Sequence, residues 1–188
     1  MEFFHFCVLQ ILLLFWVCEK ATTATQELRV TKCNATFEVG LTYAAVVYDG
    51  LDSVYILGGS TYWPGQWHSA IRKYSISTDT VETIGRLPKA LTGGEASINA
   101  GDGSIYYFGG SSDNYDVYKF DILSSTVTTV ETLPVSVHSG GKAVVDDGTT
   151  VLLFGGDGNG KIVEYDLNSN EGRVVADLPC TRAGGLWT

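Results

Sequence analysis

The sequence predicts an all-β protein whose chain repeats one pattern of strands three times. Three apolar runs end in a glycine pair, and three Leu-Pro pairs follow them at intervals of 46 and then 45 residues. An aromatic residue lies 14 residues before each of those prolines. Because these landmarks keep their register in all three copies, they indicate an internal repeat. Four short strands in a repeat of this length are typical of one blade of a β-propeller, so we expect an arc of three four-stranded antiparallel blades.

Each repeat predicts four strands from its apolar runs and turn residues. In the first repeat these are Tyr43–Tyr48, Ser53–Leu57, Ile71–Ile76 and Thr80–Ile84. The second repeat predicts Glu95–Asn99, Ser104–Phe108, Asp116–Phe120 and Val127–Val130, and the third predicts Gly141–Asp146, Thr150–Phe154, Lys161–Asp166 and Gly172–Val175. Asp-Gly pairs between the first and second strands predict tight hairpin turns with a positive φ at glycine. They are Asp49-Gly50, Asp102-Gly103 and Asp147-Gly148.

The second strand of each repeat is apolar on both faces, which is typical of an inner strand covered by neighbouring sheets. The glycine pair after it lets the backbone turn where a side chain would collide. An aromatic residue marks the third strand. These motif residues are Gly58, Gly59, Gly109, Gly110, Gly155 and Gly156, with Tyr74, Phe120 and Tyr165.

The double glycine, the strand-three aromatic and the following Leu-Pro together resemble the kelch repeat. The resemblance covers residues 25–188 and implies a kelch-type β-propeller with blades at about 41–88, 89–134 and 135–179. One departure recurs, because the tryptophan that a kelch repeat usually carries seven residues after the aromatic is here Val81, Val127 and Gly172. The resemblance implies an interaction scaffold but does not identify a ligand.

The chain on either side of the three repeats predicts partial strands of a further blade. In residues 25–37, Leu28–Cys33 aligns with a fourth strand and predicts a lone closing strand, while residues 180–188 align with the start of a next blade. Known propellers have about four to eight blades. An open arc would expose strand edges and the faces of its end blades. We therefore expect part of a longer propeller, with self-association as the alternative if the chain ends at Thr188.

Residues 1–24 predict a signal peptide. Phe6–Cys18 is a run of thirteen residues without charge, which is short for a membrane span and typical of a signal core. The first residues lack Lys and Arg, so an uncleaved signal anchor or a buried helix is the alternative. Asn34-Ala35-Thr36 is an N-glycosylation sequon, which is used only in the secretory pathway. We expect a secreted glycoprotein with no membrane span after signal removal.

Charge and cysteine content narrow the possible partners. The chain has 21 acidic and 12 basic residues and a formal net charge of −9, which argues against a nucleic-acid partner. Cys7 and Cys18 lie in the leader, leaving Cys33 and Cys180 in the mature chain. Because the repeat places these two cysteines in different blades, no disulfide between them is predicted.

The loops that join strand two to strand three, and each blade to the next, should emerge on one side of the blades. We name this side the loop face; its loops are 60–70, 111–115 and 157–160 with the linkers between blades. Exposed aromatic and polar side chains on loops held by rigid sheets commonly bind ligands. The candidates are Trp63, Trp67, His68, Asn114, Tyr115 and His138. Alternatively, the tryptophans fold back to cover the blade and the Asp and Asn residues only set turn geometry.

These features predict a secreted, non-catalytic module that binds a protein or glycan through the loop face, without a cofactor or metal. One alternative is the amino-terminal part of a secreted copper enzyme similar to galactose oxidase. Such a site needs two histidines and two tyrosines, with one tyrosine cross-linked to cysteine, and the mature chain offers only His68 and His138. Another alternative is an intracellular kelch adaptor. The chain has no phosphate loop, nucleophile elbow or HExxH motif.

Overall fold

The computed structural model describes residues 33–62, 65–99, 101–111, 115–137, 142–145, 148–155 and 160–178. The chain forms two compact units, residues 1–33 and 34–188, and of the first only the exposed Cys33 is described. The predicted signal peptide 1–24, the next-blade segment 180–188 and most of the lone strand lie outside the described residues. The described part of the predicted lone closing strand, residues 33–37, forms no strand.

The described residues form three four-stranded antiparallel sheets, as the sequence predicts. Each sheet is a simple meander in which strands neighbour one another in chain order. Blade 1 contains β1 Ala45–Tyr48, β2 Ser53–Leu57, β3 Ala70–Ser75 and β4 Thr80–Arg86. Blade 2 contains β5 Glu95–Ile98, β6 Ile105–Phe108, β7 Asp116–Asp121 and β8 Thr126–Thr132. Blade 3 contains β9 Lys142–Val145, β10 Thr150–Phe154, β11 Lys161–Asp166 and β12 Glu171–Asp177.

The fourth strand of every blade extends beyond its predicted end. The prediction stopped at Ile84, Val130 and Val175, and the strands continue for two further residues in each case. At those three residues the ladder with the third strand skips one position, so each forms a β-bulge. A bulge changes the phase of alternation between the two faces. The apolar pattern is therefore interrupted there although the strand continues.

The connection between the first and second strands has the predicted length in blade 1 and is two residues longer than the predicted strand bounds leave in blade 2. Four residues separate β1 from β2, and six separate β5 from β6. Gly50, Gly103 and Gly148 do have positive φ values, of 81°, 72° and 87°. The connection in blade 1 is stabilised by the Asp49 carboxylate, which accepts hydrogen bonds from the backbone amides of residues 51, 52 and 53.

Two apolar layers hold the blades together. The first layer lies between blades 1 and 2 and contains Tyr55, Leu57, Ile71, Leu91, Ile105, Tyr107 and Phe120. The second lies between blades 2 and 3 and contains Tyr106, Phe108, Val117, Val137, Leu153, Val163 and Tyr165. The inner strand β6 contributes alternate side chains to both layers, and all four are buried. Its continuous apolar run is thus explained by burial on both faces.

The glycine pairs fasten each blade to the linker that precedes the next blade. The Gly59 amide donates to the Leu91 carbonyl at 2.9 Å, and the Gly110 amide donates to the Val137 carbonyl at 3.1 Å. A Cβ atom at Gly109 would lie 1.7 Å from the Val137 oxygen, so a side chain is excluded. Gly155 also has a positive φ, while Gly156 lies outside the described residues.

The aromatic residues of the third strands pack between blades. Phe120 and Tyr165 are buried in the first and second apolar layers. Phe120 lies against the β4 backbone at Gly85, where a Cβ atom would be 2.8 Å from its ring. Tyr74 of blade 1 is only half-buried, and its hydroxyl donates to Asp79 at 3.1 Å. Phe120 and Tyr165 therefore stabilise the stacking of their blades on the blade before them.

Candidate functional site

The loop between β2 and β3 forms a small extension of blade 1. Thr42 and Ser60 exchange two backbone hydrogen bonds of 2.8 Å, and Ser60 also forms a bridge with Trp67. Within the loop, the Thr61 amide donates to the Gln66 carbonyl at 2.9 Å. The backbone on both sides of the loop tip is thus held in place by hydrogen bonds.

In the described parts of the loops 60–70 and 111–115, three aromatic side chains are exposed. Trp67 is 53% exposed, Tyr62 90% and Tyr115 42%. The Tyr115 backbone is fixed because its carbonyl accepts the Leu133 amide at 2.7 Å. The sequence-based candidates omitted Tyr62, although its position just before the Pro64-Gly65 turn could have indicated an exposed loop tip. These rings provide apolar area with little conformational entropy to lose on binding.

The His68 backbone joins this loop to the linker between blades 1 and 2. Its amide donates to the Gly59 carbonyl at 2.8 Å, and its carbonyl accepts the Leu91 amide at 3.1 Å. The imidazole is half-buried, and its Nε2 atom is buried without a hydrogen-bond partner among the described residues. His68 therefore orders the loop through its backbone, while the neighbouring Trp67 presents its side chain to solvent.

A chain of polar side chains links blade 1 to blade 2 on this face. Lys89, in the linker, donates to Asp116 at 3.1 Å, and the Tyr118 hydroxyl donates to the same carboxylate at 2.8 Å. The hydrogen bond from Tyr118, reinforced by Lys89, lowers the pKa of Asp116. Asp116 is therefore a fixed carboxylate that is partly open to solvent.

An ion pair links the first strands of blades 2 and 3. Lys142 Nζ lies 3.3 Å from Glu95 Oε1, and the Glu95 side chain is the more buried of the two. Burial raises the pKa of Glu95 even though Lys142 opposes that shift. The equivalent position in blade 1 is Ala45, since all three residues lie opposite the last residue of their second strand. The first strand therefore begins with a charged residue in blades 2 and 3 and with an apolar residue in blade 1.

A buried phenol lies beneath two glycines near the same strand starts. Cβ atoms at Gly94 and Gly110 would lie 2.4 Å and 2.3 Å from the Tyr107 hydroxyl oxygen. That hydroxyl is buried, and burial raises the pKa of Tyr107. Tyr107 is therefore a neutral group that closes the first apolar layer below the loop face. Side chains at either glycine would displace it.

The remaining predicted residues have varied positions. Trp63, Asn114 and His138 lie outside the described residues. Asn34 is exposed, and its backbone amide donates to Asp79 at 2.7 Å, a hydrogen bond that lowers the pKa of Asp79. Within the described ranges, no group of three or more His, Cys, Asp or Glu is arranged to hold a metal ion. The same part of the chain contains no helix of the length and apolarity that crossing a membrane requires.

A depression lies away from the loop face, beside the outer strands of blades 2 and 3. It has a volume of about 470 Å³ and is lined by Glu131, Glu164, Asp166, Glu171 and Arg173, among others. Arg173 is paired with Glu164 at 2.6 Å. This groove is acidic and open, and it contains none of the predicted ligand-binding residues.

Comparison with known proteins identifies the fold. No family model matches the chain, and no curated protein matches it in sequence. Among solved structures, the chain is similar to the structure of YjhT, with a TM-score of 0.72 and 17% sequence identity. The match covers 87% of this chain and 60% of the YjhT chain. At this identity the similarity shows the fold alone, which is the β-propeller arrangement of four-stranded blades.

Proposed function

We propose that the chain is a secreted kelch-type propeller module that binds a protein or glycan ligand through its loop face, without catalysis. The observation that carries this proposal is the set of exposed aromatics, Trp67, Tyr62 and Tyr115, on backbone held by hydrogen bonds. Rigidly held aromatic rings are the side chains that most often dominate binding energy at recognition surfaces. Asp116, the residue after Tyr115, supplies a hydrogen-bond acceptor at the rim.

The test compares the wild-type chain with a Tyr62→Ala, Trp67→Ala double variant on arrays of glycans and of extracellular protein domains. We expect the double variant to lose the wild-type signals at least about tenfold, which corresponds to about 1.4 kcal/mol. Leu123→Ala is the matched control, because Leu123 is 96% exposed but lies in the turn between β7 and β8. Identical array profiles for the double variant and wild type would rule out this surface as the ligand site.

Secretion is tested separately through the sequon. Asn34 is exposed on a segment attached to blade 1, so its side chain is available to a glycosyltransferase. Expression in animal cells should release a glycoprotein into the medium, and peptide-N-glycosidase should reduce its mass. Asn34→Gln should migrate like the digested protein. An unmodified protein retained in the cytosol would instead favour the intracellular adaptor.

Metal analysis of the same secreted protein distinguishes the copper-enzyme alternative. The proposed binding module should contain no stoichiometric copper. Copper at one equivalent together with a thioether-linked tyrosine would contradict a non-catalytic role.

A further inference from the structure

The composition of the loop face favours a ligand rich in hydroxyl groups. The loops 60–70, 111–115 and 157–160 contain aromatic and short polar residues but no Val, Leu, Ile, Met, Lys or Arg. In the linkers between blades, Leu91 and Val137 are buried. Protein-binding surfaces usually add Met and Arg to their aromatic residues. A sugar instead presents C–H groups, which pack on the negative face of an aromatic ring, and hydroxyls, which need polar partners.

Asp116 provides an acceptor for such a hydroxyl directly after the exposed Tyr115. Lys89 Nζ and the Tyr118 hydroxyl both donate to the same carboxylate oxygen, Oδ2, at 3.1 Å and 2.8 Å. No hydrogen bond from another described residue reaches the second oxygen, Oδ1, and 34% of the Asp116 side-chain surface is exposed. The carboxylate is therefore held in position by one oxygen while the other is available to a donor from a ligand.

Lys89 limits the charge of the ligand. Lys89 and Asp116 carry opposite charges 3.1 Å apart, so the pair has no net charge. A lone carboxylate would attract the lysine and arginine side chains of a partner, whereas this pair exerts little net attraction on a distant ion. The formal net charge of −9 of the whole chain disfavours an anionic ligand. These charges favour a neutral ligand.

The linker between blades 1 and 2 adjoins aromatic residues of both blades. Two backbone amides of the segment 87–91 donate to the carbonyls of the two residues that follow Trp67, at 2.7 Å and 3.1 Å. The Lys89 side chain of the same segment donates to Asp116, which follows Tyr115. The Trp67 loop and the Tyr115 position therefore border one linker, where a single extended ligand can contact both.

We propose that the loop face binds a neutral oligosaccharide, whose sugar rings stack on Trp67 and Tyr115 and whose hydroxyl donates a hydrogen bond to Asp116 Oδ1. The proposal rests on the loop-face function proposed above and names the ligand class of that surface. Stacking rings on two different blades favour a chain of sugars over a single sugar. A hydrogen bond to a charged acceptor is stronger than one between neutral groups, so Asp116 fixes the position of the sugar that it contacts.

The experiment measures the affinity of the full chain for neutral oligosaccharides of glucose, galactose, mannose and N-acetylglucosamine. Heparin oligosaccharides and a lysine-rich peptide are the charged probes. We expect at least one neutral oligosaccharide to bind more tightly than either charged probe. Its affinity should change less than about twofold between about 50 and 500 mM NaCl, because the ligand has no charge for salt to screen.

Two variants test the named contacts. Asp116→Asn should weaken binding about tenfold, because the charged acceptor is lost, and Tyr115→Ala should weaken it by a similar factor through lost stacking. Asp121→Asn is the matched control, because it makes the same change at the opposite end of β7 and should bind like the wild type. Thermal unfolding confirms that each variant is folded at the temperature of the binding measurement.

Three results would overturn the proposal: binding to a charged probe without binding to any neutral oligosaccharide, an affinity that falls more than about tenfold over this salt range, or wild-type affinity in both Asp116→Asn and Tyr115→Ala. The loop-face function is judged separately. If the chain binds protein domains and the Tyr62→Ala, Trp67→Ala variant loses them, that function stands and only the neutral glycan is wrong. A chain that binds neither glycans nor protein domains refutes both.

Discussion

Replacing Gly109 with alanine tests whether the glycine pair fastens neighbouring blades. Gly109 has a φ of +68°, and an added Cβ atom would lie 1.7 Å from the Val137 carbonyl oxygen. The left-handed backbone alone costs an alanine about 1–2 kcal/mol. Relieving the collision costs about 1–3 kcal/mol more, because the obstacle is backbone rather than a flexible side chain. We expect the free energy of unfolding to fall by about 2–5 kcal/mol, a large share of the ~5–15 kcal/mol that stabilises a typical domain.

Gly103→Ala is the matched control, because Gly103 has a φ of +72° but no atom within 4 Å of the added Cβ. Gly103→Ala should lower the free energy of unfolding only by the cost of placing alanine in a left-handed backbone conformation, about 1–2 kcal/mol. Urea unfolding followed by tryptophan fluorescence gives both values. If the two variants lose the same stability, the contact between the glycine pair and the next linker is not what holds the blades.

Three further predictions concern contacts that involve blade 2. Tyr106→Phe removes the hydroxyl that lies within hydrogen-bond distance of two oxygens of blade 3, the Leu167 carbonyl at 3.0 Å and Asn170 Oδ1 at 3.1 Å. This change should lower the free energy of unfolding by about 1–3 kcal/mol in urea titrations. The folded-state pKa of Asp116 is lowered, chiefly by Tyr118 and also by Lys89, so its stabilising contribution exists at neutral pH and is lost on acidification. Asp116→Asn should therefore lower the unfolding temperature at pH 7, and this loss should shrink progressively as the pH falls below the ordinary aspartate pKa of 3.8. A loss that stays the same at every pH would refute the assignment. Burial raises the pKa of Glu95, so the charged carboxylate destabilises the fold at pH 7. Glu95→Gln should therefore raise the unfolding temperature at pH 7, and this gain should disappear on acidification because the wild-type carboxyl is then neutral. A lower unfolding temperature of Glu95→Gln at pH 7 would show that the ion pair with Lys142 outweighs the cost of burial.

The sequence predicts the strands well because the apolar alternation within each strand agrees with the longer repeat that the glycine pairs mark. Apolar alternation locates each strand, and the glycine pair fixes the register of every repeat. The bulges at Ile84, Val130 and Val175 were missed, because an extra residue shifts the phase and looks like the end of a strand. The Asp49 carboxylate accepts hydrogen bonds from three backbone amides of the connection in blade 1, and the Asp-Gly dipeptide by itself does not indicate these hydrogen bonds.

The candidate site is less predictable, because blade stacking brings distant residues together. Lys89 and Asp116 are 27 residues apart, and Glu95 and Lys142 are 47 apart. No local spacing indicates either pair, since both depend on how one sheet packs against the next. The exposed Trp67 could be selected as an aromatic on a long loop, whereas the burial of the His68 Nε2 atom depends on the loop conformation.

The most direct test of the loop face as the ligand site is hydroxyl-radical footprinting of the chain with the ligand that the arrays identify. Oxidation of Tyr62, Trp67 and Tyr115 should fall when the ligand is bound, because all three rings are exposed in the free chain. Oxidation of Leu123, in the turn between β7 and β8, should not change. Protection of Leu123 with unchanged oxidation of the three aromatics would contradict this account.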